Sequence, residues 1–143
     1  MERPDLILCT DGGASPNPGP GALGVVLCAS DGTVLRAFGR YLGKTTNNRA
    51  EYRAVIAALL AAARRTGGWV EVRSDSVLLV RQLEGSYKTR DGDLSLLRAE
   101  VVKLAGRFAR VTFVHRPRED PCLGLADAEV RKARSRALGK GRA

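Results

Sequence analysis

The sequence lacks a long hydrophobic run. No apolar stretch in its 143 residues reaches the roughly 20 residues that a membrane-spanning helix requires. The short run LILC that follows residues 1–5 is too brief and wrongly flanked for a signal peptide. We therefore expect a cytoplasmic protein without membrane contact, folded as one domain over residues 1–143 with a basic tail from about position 136.

Cysteine and histidine are also scarce. The three cysteines, Cys9, Cys28 and Cys122, are odd in number and have no CxxC spacing, and His115 is the single histidine. This pattern predicts neither a disulfide framework nor a zinc site. We expect the cysteines to be small core residues with inert thiols.

Negative charge is in the minority. The chain has 24 Lys and Arg against 15 Asp and Glu, a net charge of +9. Such a surplus attracts polyanions, so nucleic acid is the first partner to consider, and no protein partner is implied. Part of the surplus lies in the C-terminal run VRKARSRALGKGRA, which is equally consistent with a solvated surface.

The hydrophobic pattern alternates between strand and helix periods. DLILCTDG, GALGVVLCAS and TVLRAFGRYLG predict three strands in an antiparallel meander, the last two joined by an Asp-Gly turn. TNNRAEYRAVIAALLAAARRTGG predicts a long helix, followed by the strand WVEVRSD and the helices SVLLVRQLEG and DLSLLRAEVVKLAGRF. The strand VTFVHRP and the helix LADAEVRKARSRAL complete the chain. This order predicts an α/β fold, a mixed sheet with helices on its faces.

Three acidic residues lie near the ends of these predicted elements. Asp11 and Asp75 each follow an apolar strand, and Glu51 lies near the start of the long helix. Each of them is also compatible with a helix cap or a turn. Clustered carboxylates repel one another unless a positive charge lies among them. Oxygen ligands without grouped His or Cys favour Mg²⁺, with Mn²⁺ possible, over zinc.

Four stretches resemble, in order and spacing, the motifs of type 1 ribonuclease H in its compact bacterial and archaeal form. They are TDGGASPNPGPGALGVVL, TTNNRAEYRAVIAAL, SDSVLLVRQLEGSYKTR and VTFVHRPRED followed by LADAEV. The resemblance implies the ribonuclease H-like fold, a five-stranded mixed sheet flanked by helices. It also implies metal-dependent hydrolysis of the RNA strand of an RNA/DNA hybrid. The basic protrusion of some members is absent.

The resemblance also assigns catalytic residues. Asp11, Glu51, Asp75 and Asp127 match the four acids that hold two Mg²⁺ ions in this family. The segment PREDPCLGLAD is about two residues longer than the family pattern and lacks its asparagine, so Asp120 and Glu129 remain alternatives to Asp127. Two ions can activate a water and stabilise the leaving oxygen, which predicts 5′-phosphate and 3′-hydroxyl ends.

Further residues match the family's substrate contacts. His115 or Arg118 is expected to assist catalysis from the loop before the last aspartate, and the extra residues leave open which one does so. Residues expected to contact the hybrid backbone or minor groove are Gly12, Asn17, Asn47, Asn48 and Gln82. Residues with a generic phosphate-binding charge are Lys44, Lys88 and Arg90.

Two other functions are compatible with the sequence. A catalytically weak or inactive nucleic-acid-binding module would keep the basic surface and lose at least one acid. A nuclease of the same fold would keep the metal site and prefer another duplex.

Overall fold

The computed structural model describes residues 2–85 and 92–139. Within those ranges the strands are β1 (Leu6–Ala14), β2 (Gly19–Ala29), β3 (Val34–Thr45), β4 (Trp69–Ser74) and β5 (Arg110–His115). The helices are α1 (Asn47–Ala63), α2 (Val77–Glu84), α3 (Gly92–Ala105) and α4 (Pro121–Ala137). None of these helices is long and apolar enough to cross a membrane.

The strands form one mixed sheet in the order β3-β2-β1-β4-β5. β1 to β3 make the predicted antiparallel meander, whereas β4 and β5 join parallel to β1 and to each other. The predicted α/β architecture is confirmed. β1 is the central strand, so residues at its C-terminal end lie midway between the two edge strands, β3 and β5.

Alternation along the strands divides the core between two layers. Leu6 and Leu8 of β1 belong to the larger cluster, which α1 and α3 complete. Ile7 and Cys9 face the other side, where they pack with residues of α4. Because successive strand residues point to opposite faces, β1 contributes to both layers.

α4 begins four residues earlier than predicted. Asp120 is its N-cap and accepts hydrogen bonds from the backbone N–H groups of Cys122 (2.9 Å) and Leu123 (3.4 Å). Pro121 occupies the first helical position, where a backbone N–H would have no partner within the helix, so proline sacrifices no hydrogen bond there. The residues that seemed to lengthen the loop before Asp127 are therefore helical. Arg136, the start of the predicted basic tail, also lies within α4.

The prediction of no disulfide is wrong. Cys9 on β1 and Cys122 in the first turn of α4 form a disulfide, with a Cα–Cα separation of 5.9 Å. Cys28 on β2 remains a free, buried thiol. The odd number of cysteines and the missing CxxC motif are features of the sequence alone. The pairing of Cys9 with Cys122 depends on how α4 crosses the sheet.

Candidate active site

Three carboxylates converge where the parallel strands end. One oxygen from each of Asp11, Glu51 and Asp75 lies within 4.8 Å of the others. They line a cleft of about 460 Å³ together with residues of α1 and α4. The β1–β4 register pairs Cys9 with Arg73, so two residues further on it brings Asp11 level with Asp75.

Asp11 lies inside β1, three residues before the strand ends, and not at its end as predicted. Its neighbour Gly12 pairs with Leu23 of β2. A Cβ at Gly12 would overlap the backbone carbonyl of Ala50 and lie 2.6 Å from the backbone nitrogen of Glu51. The missing side chain therefore allows α1 to approach β1 closely, which brings Glu51 to Asp11.

Side-chain hydrogen bonds hold the start of α1. Thr46 is the N-cap, and its hydroxyl accepts a hydrogen bond from the Arg49 N–H at 3.2 Å. Asn17 Oδ1 accepts from the Asn47 N–H at 3.1 Å, and Asn47 Oδ1 accepts from the Ala14 N–H at 2.8 Å. These bonds connect α1 to β1 and to the loop that follows it, and they orient Glu51.

Asp75 lies between the end of β4 and the N-cap of α2. That cap, Ser76, accepts a hydrogen bond from the Leu79 N–H at 3.1 Å, and its side chain also hydrogen-bonds to Glu51. The Arg118 guanidinium donates to Asp75 Oδ2 at 3.1 Å. Ser76 was not a predicted site residue. The signal that could have found it is a serine placed between a strand and a helix.

Proximity and burial raise the pKa of two of the acids. Burial, followed by the charges of Asp75 and Asp127, raises the pKa of Asp11 to about 7. Burial, followed by the charges of Asp75 and Asp11, raises the pKa of Glu51 to about 8. Arg118 opposes both increases. Burial, together with repulsion among the acids, thus disfavours the charged forms of Asp11 and Glu51.

Asp127 lines the same cleft from α4 but is not part of the 4.8 Å group. Its carboxylate pairs with Arg131 at 3.2 Å. The two alternatives have other partners, because Asp120 caps α4 and pairs with Arg73 (3.4 Å), while Glu129 pairs with Lys132 (3.3 Å). Neither alternative lines the cleft.

Arg118 reaches the cleft and His115 does not. His115 ends β5, which is the edge strand beyond β4, and its side chain is exposed. Arg118 follows in the loop between β5 and α4 and extends back to Asp75. Of the two residues that the sequence left open, only the arginine contacts an acid of the cluster.

The predicted substrate contacts are divided between surface and core. Asn47 and Asn48 line the cleft. Asn17 lines a second hollow together with Thr46 and Asn48. Gly12 also lines the cleft, but its backbone N–H hydrogen-bonds to Asp11.

Gln82 is not brought to the cleft. Its side chain is 5% exposed, and its Oε1 accepts a hydrogen bond from the Tyr52 hydroxyl at 2.7 Å. Lys44 is exposed beside Arg49 and Arg53, whereas Lys88 and Arg90 fall outside the described residues.

Comparison with known proteins supports the resemblance. A family model described as "Reverse transcriptase-like" matches residues 9–123. Ribonuclease HI of Halobacterium salinarum is 43% identical over 108 residues, which is 76% of this chain and 54% of that protein. The crystal structure of RNase H1 from the same organism aligns with a TM-score of 0.85 at 39% identity, covering 90% of this chain and 96% of the other.

The chain belongs to the type 1 ribonuclease H family. A second ribonuclease H1, LC11-RNase H1, whose crystal structure is in complex with an RNA/DNA hybrid, aligns with a TM-score of 0.86 at 39% identity. That alignment covers 93% of this chain and 99% of the other. The chain spans about half the length of its curated Halobacterium relative. The family match ends at residue 123, before Asp127.

Proposed function

We propose that this protein hydrolyses the RNA strand of RNA/DNA hybrids with the help of divalent metal ions. The observation that carries the proposal is the group formed by Asp11, Glu51 and Asp75, whose oxygens lie within 4.8 Å of one another. Membership of the ribonuclease H family supports the reaction class. The hybrid bound to LC11-RNase H1, which shares 39% identity with this chain, supports the substrate.

The three carboxylates fit a hard divalent cation. The group consists of carboxylates alone, and oxygen ligands of this kind suit Mg²⁺ or Mn²⁺. A bound cation would offset the burial and the repulsion that raise the pKa values of Asp11 and Glu51. We propose Asp11, Glu51 and Asp75 as ligands of the first ion, with Asp11 shared and Asp127 holding a second.

The bound ions would supply activation of water and stabilisation of the departing 3′-oxygen. The protein's contribution is to fix the ligands before substrate arrives. Gly12 sets the distance between β1 and α1, and Thr46 and Ser76 cap the helices that carry or flank Glu51 and Asp75. Arg118 offers a positive charge beside the cluster, close to where a phosphate must lie.

Hybrid binding would use the surface around this cleft. Asn48 is exposed at the start of α1, where its amide can reach sugar hydroxyls of an RNA strand, the groups that distinguish RNA from DNA. Lys44, Arg49 and Arg53 border a neighbouring hollow and would contact phosphates. A cytoplasmic location and a single domain over residues 1–143 remain predictions from the sequence.

The test is cleavage of three matched, end-labelled duplexes, RNA/DNA, RNA/RNA and DNA/DNA, in Mg²⁺ and in excess EDTA. We expect cleavage of the RNA strand in the hybrid alone, and only with metal. Asp75→Asn should lower the rate by at least about 10²-fold, as for removal of one preorganised electrostatic group. Hybrid binding should persist, because it rests on many other contacts.

The matched control is Asp31→Asn. Asp31 lies in the β2–β3 turn, where its side chain accepts a hydrogen bond from the Thr33 N–H at 2.9 Å and where asparagine is equally suitable. This variant should cleave at the wild-type rate. Cleavage of all three duplexes would refute the substrate assignment, and full activity of Asp75→Asn would remove Asp75 from the site.

A further inference from the structure

All three cysteines of the chain meet on the face of the sheet opposite α1. Cys9 on β1 and Cys28 on β2 lie on the same face, because Cys9 pairs with Val26 and Cys28 is two residues further along β2. α4 packs on this face and brings Cys122 into contact with both strands. Cys122 forms the disulfide with Cys9, and its sulfur also lies 3.3 Å from Cys28 Sγ.

We propose that Cys9, Cys28 and Cys122 form a thiol–disulfide exchange site, in which Cys122 on α4 bonds to either of two cysteines in the sheet. The third sulfur is already in contact with the bonded pair, because Cys28 Sγ lies 3.3 Å from Cys122 Sγ. Nothing in the proposed nuclease function uses these cysteines.

The exchange is redox-neutral. The Cys28 thiolate attacks Cys122 Sγ, the Cys28–Cys122 bond forms, and the Cys9–Cys122 bond breaks. Cys9 leaves as a thiolate and takes up the proton that Cys28 lost. Electrons and atoms balance within the protein, without an external oxidant.

Small monothiols of the glutathione class would enter at Cys122. Cys9 is 0% exposed and Cys28 is 3% exposed, whereas Cys122 is only partly buried. An external thiolate that attacks Cys122 Sγ releases Cys9 and leaves a mixed disulfide on Cys122. Cys9 or Cys28 can then displace the small thiol and restore a protein disulfide.

The charged groups around the cluster are those that hold the start of α4. Arg73 of β4 pairs with Asp120, the N-cap of α4, at 3.4 Å, and with Glu71 at 2.6 Å. Burial raises the pKa of the Cys28 thiol, and the Arg73 charge opposes this. The Cys28 thiol is therefore protonated near neutral pH, and its sulfur is in contact with Cys122 Sγ, the atom that it would attack.

The bonding state decides which strand holds the first turn of α4. With Cys9 bonded, α4 is attached to the central strand two residues before Asp11; with Cys28 bonded, it is attached to β2. The same helix carries Asp127, whose metal-binding role rests on the proposed function. The experiment below therefore reads sulfur connectivity and not cleavage, so it can fail independently of the nuclease proposal.

The test uses the full chain in buffers of reduced and oxidised glutathione. Samples are quenched in acid, free thiols are alkylated, and disulfide-linked peptides are mapped by mass spectrometry. In the wild type we expect the Cys9–Cys122 peptide together with a minor Cys28–Cys122 peptide. Detection of Cys9–Cys122 alone at every buffer ratio would overturn the proposal, and this arm does not depend on any variant folding.

Three variants sharpen the result. Cys9→Ala should convert the protein to the Cys28–Cys122 disulfide, whereas Cys28→Ala, the matched control, should keep Cys9–Cys122 only. In Cys9→Ala the glutathione adduct on Cys122 should disappear at least about tenfold faster than in the variant that lacks both Cys9 and Cys28, because one resolving thiol remains. Equal lifetimes, or two free thiols in a folded Cys9→Ala protein, would refute an exchange site.

Discussion

Replacing Glu51 with glutamine should stabilise the metal-free protein at neutral pH. Burial and the charges of Asp75 and Asp11 raise the pKa of Glu51 from an ordinary value of 4.5 to about 8. At pH 7 the unfolded chain therefore carries an ionised Glu51, while the folded protein keeps the proton. Glutamine has the same shape, can still bond to Ser76, and has no charge to bury.

The size of the effect follows from linkage. The interval between pH 4.5, the ordinary pKa of Glu51, and pH 7 corresponds to about 3 kcal/mol at about 1.4 kcal/mol per pH unit. Because the acids of the cluster influence one another, part of this free energy is shared with Asp11. We expect a gain of about 1–3 kcal/mol in the free energy of unfolding at pH 7.

The direction of the pKa shift determines how the stability difference between the wild type and Glu51→Gln changes with pH. A carboxyl whose pKa is raised on folding contributes its full stability below the unfolded-state value, and this stability is lost as pH rises towards the folded-state value. The wild type and Glu51→Gln should therefore be equally stable near pH 4. Relative to Glu51→Gln, the wild type should become progressively less stable between pH 4.5 and about 8, the interval bounded by the two pKa values of Glu51.

The assay is urea unfolding in EDTA at a series of pH values. Glu100→Gln is the control, because Glu100 is exposed on α3 and should leave the unfolding free energy unchanged. In saturating Mg²⁺ or Mn²⁺ the wild type should become more stable than Glu51→Gln, because the metal stabilises the wild type through an intact ligand set. Equal stability at pH 7, or a gain of the same size at pH 4, would refute the reasoning.

Three further substitutions test the site. Arg118→Ala should lower hybrid cleavage by at least about tenfold through loss of the positive charge beside Asp75, while His115→Ala should keep the wild-type rate; the opposite order would assign the assisting role to the histidine. Gly12→Ala should destabilise the fold by about 1–3 kcal/mol, seen in urea unfolding, because its Cβ overlaps the Ala50 carbonyl, and unchanged stability would mean that α1 can move away freely.

The strands and α1 were predictable because their signals are local. Apolar runs, the Asp31-Gly32 turn and the alanine-rich helix after Thr46 determine these elements whatever packs on them. The antiparallel meander follows from short connections. The convergence of Asp11, Glu51 and Asp75 was predictable because each lies within a few residues of the end of an element, although Asp11 lies inside β1 and not at its end.

Other features depend on contacts between distant parts of the chain. The start of α4 was predicted at Leu125, whereas Asp120 caps the helix and pairs with Arg73 of β4, a contact between distant parts of the chain. The disulfide depends on the crossing of α4 over β1.

Gln82 shows the same limit at a single position. The resemblance to ribonuclease H implies a substrate contact for Gln82, but the helical period turns its side chain into the core beneath α1, where it hydrogen-bonds to Tyr52. A polar residue on an apolar face becomes interpretable only when its partner is known.

The ends of the cleaved RNA test the central claim most directly. If the acid cluster holds metal and water is the nucleophile, the 2′-hydroxyl is recognised but not consumed. Fragments from hybrid cleaved in Mg²⁺ should then carry 5′-phosphate and 3′-hydroxyl ends, and none should form in excess EDTA. Fragments with 2′,3′-cyclic phosphate ends, or undiminished cleavage in EDTA, would contradict a metal site built from Asp11, Glu51 and Asp75.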